Sequence, residues 1–289
     1  MNNFAFFGTP RFAEIFLSEI VRKGVVPSLV VTNPDRPAGR KKELAPPPVK
    51  VLAEKHGIPV FQEKLETLNL KLETQEHGFG LVAAYGSIIP KSVIEIFPKG
   101  IICLHPSLLP ELRGATPIQT ALLEGREETG VSLFLMDEKV DHGQILSERK
   151  IAISENDDYV SLEEKLAKSG AELFIEIMPE YLSEKLSPIP QDESRATYTK
   201  KFPREAAFVP EAELKDALAG KGARQVSAKI RAFSKEPGAW TIISPGSSTS
   251  LGKLNFRNPT QVKLLACEIV EGKLKLTKIQ TESKKAQIL

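Results

Sequence analysis

The chain has 289 residues, of which 41% are hydrophobic and 26% charged, and its formal net charge is +2. This balance is typical of a soluble globular protein, and the length predicts two domains. No apolar run approaches the roughly 18–20 residues that cross a membrane, and no signal peptide is expected. The two cysteines, Cys103 and Cys267, lie far apart in the sequence, which favours a reducing, cytoplasmic location.

The charge is unevenly divided along the chain. Residues 1–196 carry 22 Lys and Arg against 29 Asp and Glu, whereas residues 197–289 carry 17 against 8. A basic carboxyl-terminal third suggests a polyanionic partner such as nucleic acid. A solvated, lysine-rich surface is the alternative that charge alone leaves open.

The chain opens with a β-α-β pattern. An apolar strand at 4–7 leads through the turn Gly8-Thr9-Pro10 into a helix that ends near Arg22, with Pro10 suited to the first helical position. A second strand is predicted at 27–32, so a parallel sheet is expected. No GxGxxG or P-loop motif is present, and no CxxC or HExxH spacing predicts a metal site.

Residues 33–48 are predicted to form a long loop, because their prolines and Gly39 interrupt regular structure. The loop is rich in basic side chains, which are suited to gripping phosphate. These are Arg36, Arg40, Lys41 and Lys42. A solvated charged loop is an equally simple interpretation.

The following elements alternate in the same way. Strands are predicted at 60–61, 81–85, 101–104, 129–136 and 145–153, and helices at 49–56, 65–76, 90–96, 116–124 and 162–186. Residues 1–186 would form one domain, with a linker at 187–204. Residues 205–289 would form a second domain, with helices at 211–218 and 223–233 and strands at 240–243, 251–256, 263–270 and 273–279. This pattern predicts a small β-barrel, closed or open, of the OB-like kind that holds nucleic acids.

The stretch 100–119 carries the clearest chemical signal. His105 ends an apolar strand, because Pro106 cannot continue the ladder, and it is thereby placed at the sheet edge where α/β proteins bind ligands. Asp141 lies in a second loop, 137–143. A His paired with an Asp can act as an electrophile or in proton transfer near neutral pH. Sequence spacing does not show that the two meet, so a structural His105 and a turn-forming Asp141 remain open.

Several motifs in the correct order resemble the formyltransferases that use 10-formyltetrahydrofolate, whose motif reads Asn-x-His-Pro-Ser-Leu-Leu-Pro. The resemblance is greatest to members that formylate methionyl initiator tRNA. The matching segments are 7–12, 33–42, 48–53, 84–86, 105–110, 113–119, 129–132 and 136–143, with weaker matches at 198–201 and 230–233.

The resemblance implies an α/β fold with a doubly wound, mostly parallel, Rossmann-like sheet in the catalytic domain, followed by the small basic barrel. It implies 10-formyltetrahydrofolate as the formyl donor, no metal, and a monomeric enzyme. The folate site would be lined by Ser107, Leu108, Leu109, Pro110, Tyr85 and Gly86. The acceptor end of the tRNA would contact Arg36, Arg40, Lys41 and Lys42, and the barrel would hold the rest of that RNA.

The resemblance also implies roles for two titratable residues. His105, kept cationic by Asp141, would stabilise the oxyanion that forms when the methionine amine attacks the formyl carbon. Asp141 would help to remove the proton of the amine through a water molecule.

One position departs from the motif, because Cys103 stands where the family has Asn. A thiol is a weaker donor than an amide, and loss of one oxyanion donor typically costs about 10²–10³ in rate. Three interpretations follow: slower catalysis; compensation elsewhere in the site or a contribution from the thiol itself; or retained RNA binding without transfer. Two rival activities also stay open, those of a sugar-nucleotide N-formyltransferase and of a hydrolase that releases formate.

Overall fold

The structure is a computed structural model that describes residues 3–39, 42–63, 65, 77–235, 237–247, 258–281 and 286–288. The chain divides into two compact units that interleave in sequence. The first comprises residues 1–114, 129–151 and 164–198, and the second comprises residues 115–128, 152–163 and 199–289. A single boundary at 187–204 does not describe this interleaving, because two earlier segments belong to the second unit.

The first unit is built on a seven-stranded sheet. The strands up to residue 199 are β1 (Phe4–Gly8), β2 (Leu29–Val31), β3 (Arg36–Ala38), β4 (Glu43–Ala45), β5 (Val60–Phe61), β6 (Phe79–Ala83), β7 (Ile101–His105), β8 (Arg113–Gly114), β9 (Glu128–Leu135), β10 (Ile145–Ala152) and β11 (Tyr198–Thr199). The sheet order is β10-β9-β7-β6-β1-β2-β5. Strands β7, β6, β1, β2 and β5 are parallel, whereas β9 is antiparallel to β7. The chain moves outward from β1 on one side and returns to β6 and β7 on the other, which confirms the predicted doubly wound, mostly parallel sheet.

Burial explains why the sequence specifies this sheet. Every residue of β1, β6 and β7 is buried, as expected for strands that are covered on both faces. The rings of Phe4 and Phe79 stack across neighbouring strands at 5.0 Å. Long apolar runs without polar alternation therefore identified these central strands correctly.

The helices confirm most of the predicted positions. They are α1 (Arg11–Arg22), α2 (Pro48–Lys55), α3 (Lys91–Ile94), α4 (Pro117–Leu123), α5 (Tyr159–Leu182), α6 (Glu211–Leu218) and α7 (Ala223–Ala232). Pro10 caps α1 in an extended conformation instead of occupying its first position. Helix α5 ends before the predicted residue 186, and Glu184 there adopts a φ of +59°, which a right-handed helix cannot include. In the described part of the chain, no helix is long and apolar enough to cross a membrane.

The predicted loop 33–48 contains regular structure after all. Strands β3 and β4 form an antiparallel hairpin, in which Arg36 lies opposite Ala45. Pro37 is tolerated because both strands of a two-stranded ribbon are edges and need not donate from every residue. Residues 40–41 of this hairpin lie outside the described residues, as does the predicted helix 65–76 apart from Leu65.

The base of the hairpin is fixed by a partly buried ion pair. The carboxylate of Asp35 accepts hydrogen bonds from Gln62 Nε2 at 2.9 Å and from Lys50 Nζ at 2.9 Å. The bond from Gln62 and then that from Lys50 lower the pKa of Asp35. The basic hairpin is therefore rooted in the fold of the first unit.

The second unit contains a four-stranded antiparallel sheet, in the order β12 (Ala239–Ile243), β13 (Thr260–Val270), β14 (Lys273–Thr281) and β15 (Gln287–Ile288). Helix α7 packs against β13 and against α4. This sheet confirms a small carboxyl-terminal β structure. The predicted strand 251–256 lies outside the described residues, so closure into a barrel remains a prediction.

A buried histidine makes the stability of the fold depend on pH. His77 is 4% exposed, and burial lowers its pKa below the ordinary 6.5. Below pH 6.5 His77 takes up a proton in the unfolded chain but, down to its lower folded pKa, not in the folded chain. The contribution of neutral His77 to the free energy of unfolding is therefore lost as pH falls through the folded pKa. We expect the free energy of unfolding, measured by urea denaturation, to fall with pH between roughly pH 7 and 5.

The His77→Gln variant removes the titrating group and should flatten this dependence. The exposed His56 provides the control, because His56→Gln should leave the slope unchanged. If the free energy of unfolding depends on pH with the same slope in His77→Gln as in the unchanged chain, the prediction is contradicted.

Candidate active site

Strand β7 presents Cys103 and His105 on one face, because side chains alternate along a strand. Cys103 lies between Val82 of β6 and Phe134 of β9, and His105 lies opposite Ser132. Both side chains are buried, with exposures of 8% for Cys103 and 5% for His105. The strand runs one residue beyond its predicted end and includes His105.

The loop that carries Asp141 starts beside the amino end of β7, which is the end opposite His105. Because β9 is antiparallel to β7, Leu135 lies opposite Ile102, at the amino end. His105 is about 10 Å further along the strand. The loop therefore runs back along β7, and it brings Asp141 Oδ2 to 3.6 Å from His105 Nδ1. The structure thus joins the two residues whose meeting the spacing could not show.

Two contacts hold this loop in place. At its base, Leu135 N donates to Gln144 O at 2.9 Å. Near its tip, Gly114 N donates to Asp141 Oδ2 at 2.7 Å. The closure requires glycine at position 143, where a Cβ atom would lie 1.6 Å from Leu135 O. Asp141 itself has a φ of +49°, in the left-handed region.

The partners of His105 fix where its protons lie. Nε2 is 2.9 Å from Leu112 O, and a carbonyl can only accept. Nε2 therefore carries a hydrogen, an assignment made from the partner atom. Nδ1, which faces Asp141, carries a proton only when the imidazole is cationic. Nδ1 is thus a hydrogen-bond donor only in the charged form, and its 3.6 Å distance from Asp141 Oδ2 is longer than a hydrogen bond.

Cys103 belongs to the same cluster. Burial, and then the negative charge of Asp141, raise the pKa of its thiol well above the ordinary value. The thiol is therefore neutral. All three predicted catalytic residues, Cys103, His105 and Asp141, are brought together.

The loop after His105 is rigidly packed. Ser107 Oγ donates to Glu111 O at 2.6 Å, and Leu109 N donates to Ser132 Oγ at 2.9 Å. Leu108 covers Gly130, whose missing Cβ would lie 2.4 Å from a Leu108 methyl carbon. Ser107, Leu109 and Pro110 are buried, and Leu108 is half-buried. The hydroxyl hydrogen of Ser107 is thus already donated within the loop.

Tyr85 and Gly86 follow the central strand β6. The Tyr85 ring packs edge-on against Phe7 at 5.8 Å, within the core. Its carbonyl accepts from Thr9 Oγ1 at 3.0 Å and from Asn33 Nδ2 at 2.8 Å. Gly86 is exposed, with a φ of +79°. Of the six predicted folate residues, Gly86 and Leu108 keep accessible surface, and the folate role of the set remains a prediction.

Two of the predicted tRNA contacts, Arg36 and Lys42, lie on the hairpin that contains β3 and β4. Arg36 and Lys42 are exposed. Arg40 and Lys41 lie outside the described residues. The structure places the first two on an accessible, basic ribbon and leaves their RNA role a prediction.

Sequence reasoning missed the residues that lie behind Asp141. Arg113 is fully buried, and its guanidinium bonds to Gln191 and Glu193, which belong to the predicted linker. That segment is fixed, since Ile145 and Ile189 exchange two backbone hydrogen bonds of 2.8 Å. Only the prolines at 188 and 190 could have indicated a rigid segment there.

A cavity of about 500 Å³ lies beside the same loop. Its lining combines apolar and charged side chains: Leu135, Met136, Asp137, His142, Gly143, Gln144, Pro190, Gln191 and Glu193. His142 Nδ1 is 2.6 Å from Asp137 Oδ2, and its Nε2 is 3.6 Å from Glu193 Oε1. The predicted folate residues do not line this cavity.

Comparison with known sequences gives one consistent relationship. Residues 2–178 match the family model described as formyl transferase. A methionyl-tRNA formyltransferase of Geobacillus sp. (strain WCH70) is 44% identical over 206 residues, which cover 69% of this chain and 64% of that protein. A methionyl-tRNA formyltransferase of Bacillus velezensis is 38% identical over 247 residues, which cover 84% of this chain and 75% of that protein.

Solved structures show a similar fold. The methionyl-tRNA formyltransferase of Clostridium thermocellum has a TM-score of 0.60 at 15% identity, covering 100% of this chain and 99% of that chain. An N-formyltransferase of Helicobacter canadensis, solved with folinic acid and dTDP-3-aminofucose, has a TM-score of 0.60 at 18% identity and covers 93% of this chain and 88% of that chain.

The closure of the Asp141 loop generates a prediction at position 143. Gly143→Ala would place a methyl group against Leu135 O, so we expect the free energy of unfolding to fall by roughly 1–3 kcal/mol. Catalytic turnover should fall as well, because the loop must open to admit the methyl group. Urea denaturation and a turnover assay on the same preparation measure both effects.

Gly57→Ala is the control for backbone strain. Gly57 has a φ of +68°, and a Cβ atom there would meet open space. This variant should lose stability without losing turnover. A Gly143→Ala protein with unchanged turnover would show that the loop closure does not position Asp141.

Proposed function

The chain belongs to the formyl transferase family, and we propose that it transfers the formyl group of 10-formyltetrahydrofolate to the α-amine of methionyl initiator tRNA. The observation that carries this proposal is the pairing of His105 with Asp141 at the carboxyl end of β7. Relatives that are 38–44% identical and bear the name methionyl-tRNA formyltransferase support the choice of acceptor.

The donor set of the site fits a formyl group. The folate supplies an activated formyl carbon, whose oxygen gains negative charge when an amine adds to it. Cationic His105 donates from Nδ1 toward that oxygen, while Nε2 stays bonded to Leu112 O. Asp141 stabilises the cation from 3.6 Å. Both requirements of the oxyanion, a donor and a positive charge, are met by this pair.

Asp141 also serves the amine of the acceptor. Among the described contacts, its Oδ2 accepts from Gly114 N and faces His105. We therefore assign Oδ1 to a water molecule that takes the proton of the attacking amine. The bond from the formyl carbon to the folate nitrogen then breaks as the carbonyl re-forms, and that nitrogen leaves with a proton as tetrahydrofolate. The partly exposed carboxylate is accessible to such a water, since its side chain is 18% exposed.

The remaining contacts are assigned from the sequence motifs. The folate would lie against residues 107–110 and against Tyr85 and Gly86, where Leu108 and Gly86 offer accessible surface. The acceptor end of the RNA would meet the hairpin with Arg36, Arg40, Lys41 and Lys42. The basic residues 205–289 would hold the body of the RNA, in keeping with the excess of Lys and Arg after residue 197.

One assay tests this function against its rivals. The purified protein is given 10-formyltetrahydrofolate with charged initiator tRNA, and N-formylmethionine is scored after hydrolysis of the ester. Parallel reactions contain a dTDP-linked amino sugar, or no acceptor. Formylmethionine formed only with the charged tRNA supports the proposal. A formylated sugar, or formate released without an acceptor, would identify a sugar N-formyltransferase or a hydrolase instead.

Cys103 gives a prediction about rate. An amide at this position would add a strong donor beside His105, so Cys103→Asn should raise the turnover number, by up to about 10²–10³ if the missing donor is not replaced elsewhere. Affinity for the tRNA should stay the same, because the residue is buried away from the exposed hairpin. Steady-state kinetics measure the first effect and filter binding the second.

Cys103→Val controls for size without adding a donor, and it should not raise turnover. Unchanged or lower turnover in Cys103→Asn, with an unchanged unfolding midpoint, would rule the idea out.

The hairpin gives a prediction about salt. Replacing Arg36 and Lys42 by Ala should weaken tRNA binding and reduce the slope of log K against log salt by roughly one for each phosphate that the variant no longer neutralises. A salt titration of binding to the initiator tRNA measures this slope.

A matched variant with Ala at Lys23 and Lys185 removes two exposed charges elsewhere in the first unit. Its slope should stay close to that of the unchanged protein. If the two variants behave alike, the hairpin has no special role in binding the RNA.

A further inference from the structure

Arg113 is a buried charge whose hydrogen-bonding capacity is fully used. The side chain is 0% exposed. Nε and Nη2 donate to Gln191 Oε1 at 3.0 and 2.6 Å, and Nη1 donates to Tyr198 Oη at 3.1 Å. Nη1 and Nη2 also form a two-point pair with the carboxylate of Glu193, at 3.1 and 2.6 Å. Because the Glu193 side chain is 56% exposed, its ion pair with Arg113 is screened by solvent and is weak evidence for stability. The complete burial of Arg113 therefore needs an explanation other than stability.

The guanidinium fixes the orientation of the Gln191 amide. A guanidinium only donates, so the atom of Gln191 that meets it must be the oxygen. The Gln191 nitrogen is then turned toward the loop of Asp141. Nε2 donates to Asp141 O at 2.9 Å and to Gly143 O at 2.8 Å. Both hydrogens of the amide are thereby used on the backbone that flanks the carboxylate.

The residue after Arg113 holds the side chain of Asp141. Gly114 N donates to Asp141 Oδ2 at 2.7 Å. Residues 113 and 114 thus act on Asp141 from two directions, one through the Gln191 amide on its backbone and the other directly on its carboxylate. The left-handed backbone at Asp141 requires such support, because it is disfavoured for a residue with a side chain.

We propose that Arg113 and Gln191 are positioning residues for Asp141: Arg113 orients the Gln191 amide, and that amide clamps the backbone of residues 141–143 so that the carboxylate faces His105. The inference rests on the proposed formyl transfer for its effect on rate. The clamp itself is a property of the loop and can be measured without any reaction.

The test uses a substitution that keeps one half of the clamp and removes the other. Gln191→Glu retains an oxygen acceptor for Arg113 but replaces the two N–H donors by an oxygen that repels Asp141 O and Gly143 O. We expect turnover to fall about 10²-fold, because small displacements of a reacting group cost that much. The KM values for folate and tRNA and the unfolding midpoint should stay unchanged. Asn156→Asp, the same amide-to-acid change at an exposed position outside the loop, should have no effect.

Two further measurements separate positioning from a general structural role. In the Asp141→Asn background, Gln191→Glu should cause no further loss of turnover, because Gln191 acts through Asp141. Amide hydrogen exchange across residues 137–144 should become faster in Gln191→Glu, whether or not the protein formylates tRNA.

Each contrary outcome is decisive. Unchanged exchange in residues 137–144 would overturn the clamp. An equal loss of turnover in both backgrounds, or a loss that follows a lowered unfolding midpoint, would assign Gln191 a structural role only. If the unchanged protein fails to formylate charged tRNA, the proposed function is contradicted. If amide exchange in residues 137–144 is still faster in Gln191→Glu than in the unchanged protein, the clamp stands.

Discussion

The hydrogen bond from Gly114 N to the carboxylate of Asp141 is the contact on which the site depends. Strand β9 ends beside the amino end of β7, so the loop after it begins far from His105. A chain that only reversed direction there would leave Asp141 remote from the histidine. The anchor at Gly114 draws the loop along β7, and it also offsets the left-handed backbone of Asp141, a conformation that costs about 1–3 kcal/mol. The site is therefore a product of two loops that hold each other, and neither loop alone contains it.

The electrostatics of this small space separate two kinds of chemistry. A cysteine acts as a nucleophile through its thiolate. Burial and the nearby Asp141 both raise the pKa of Cys103, so the thiol stays protonated and a covalent formyl-cysteine route has no support. The carboxylate of Asp141 thus opposes ionisation of the Cys103 thiol while it lies 3.6 Å from the imidazole Nδ1 of His105.

The sequence predicted what depends on local pattern and missed what depends on distant partners. The apolar runs of β1, β6 and β7 identified the sheet because strands buried on both faces need little else. The sequence does not predict the hairpin β3–β4, because prolines are typical of loops, although an edge strand tolerates them. His105 and Asp141 could be nominated, but their meeting depends on the antiparallel course of β9. No sequence pattern points to Gln191, because its proposed role depends on the burial of Arg113, and arginines are mostly exposed.

The interleaving of the two units has a consequence for dissecting the protein. Helix α4 belongs to the second unit and packs against α7, although it begins only three residues after Gly114. A fragment that stops at Tyr198 would retain α4 and lose α7. The buried residues Ile118, Ala121 and Leu122 of α4 would then be deprived of a packing partner immediately downstream of the residue that anchors Asp141. A cut at a single linker near residue 198 would therefore divide the second unit, whose segments 115–128 and 152–163 lie earlier in the chain.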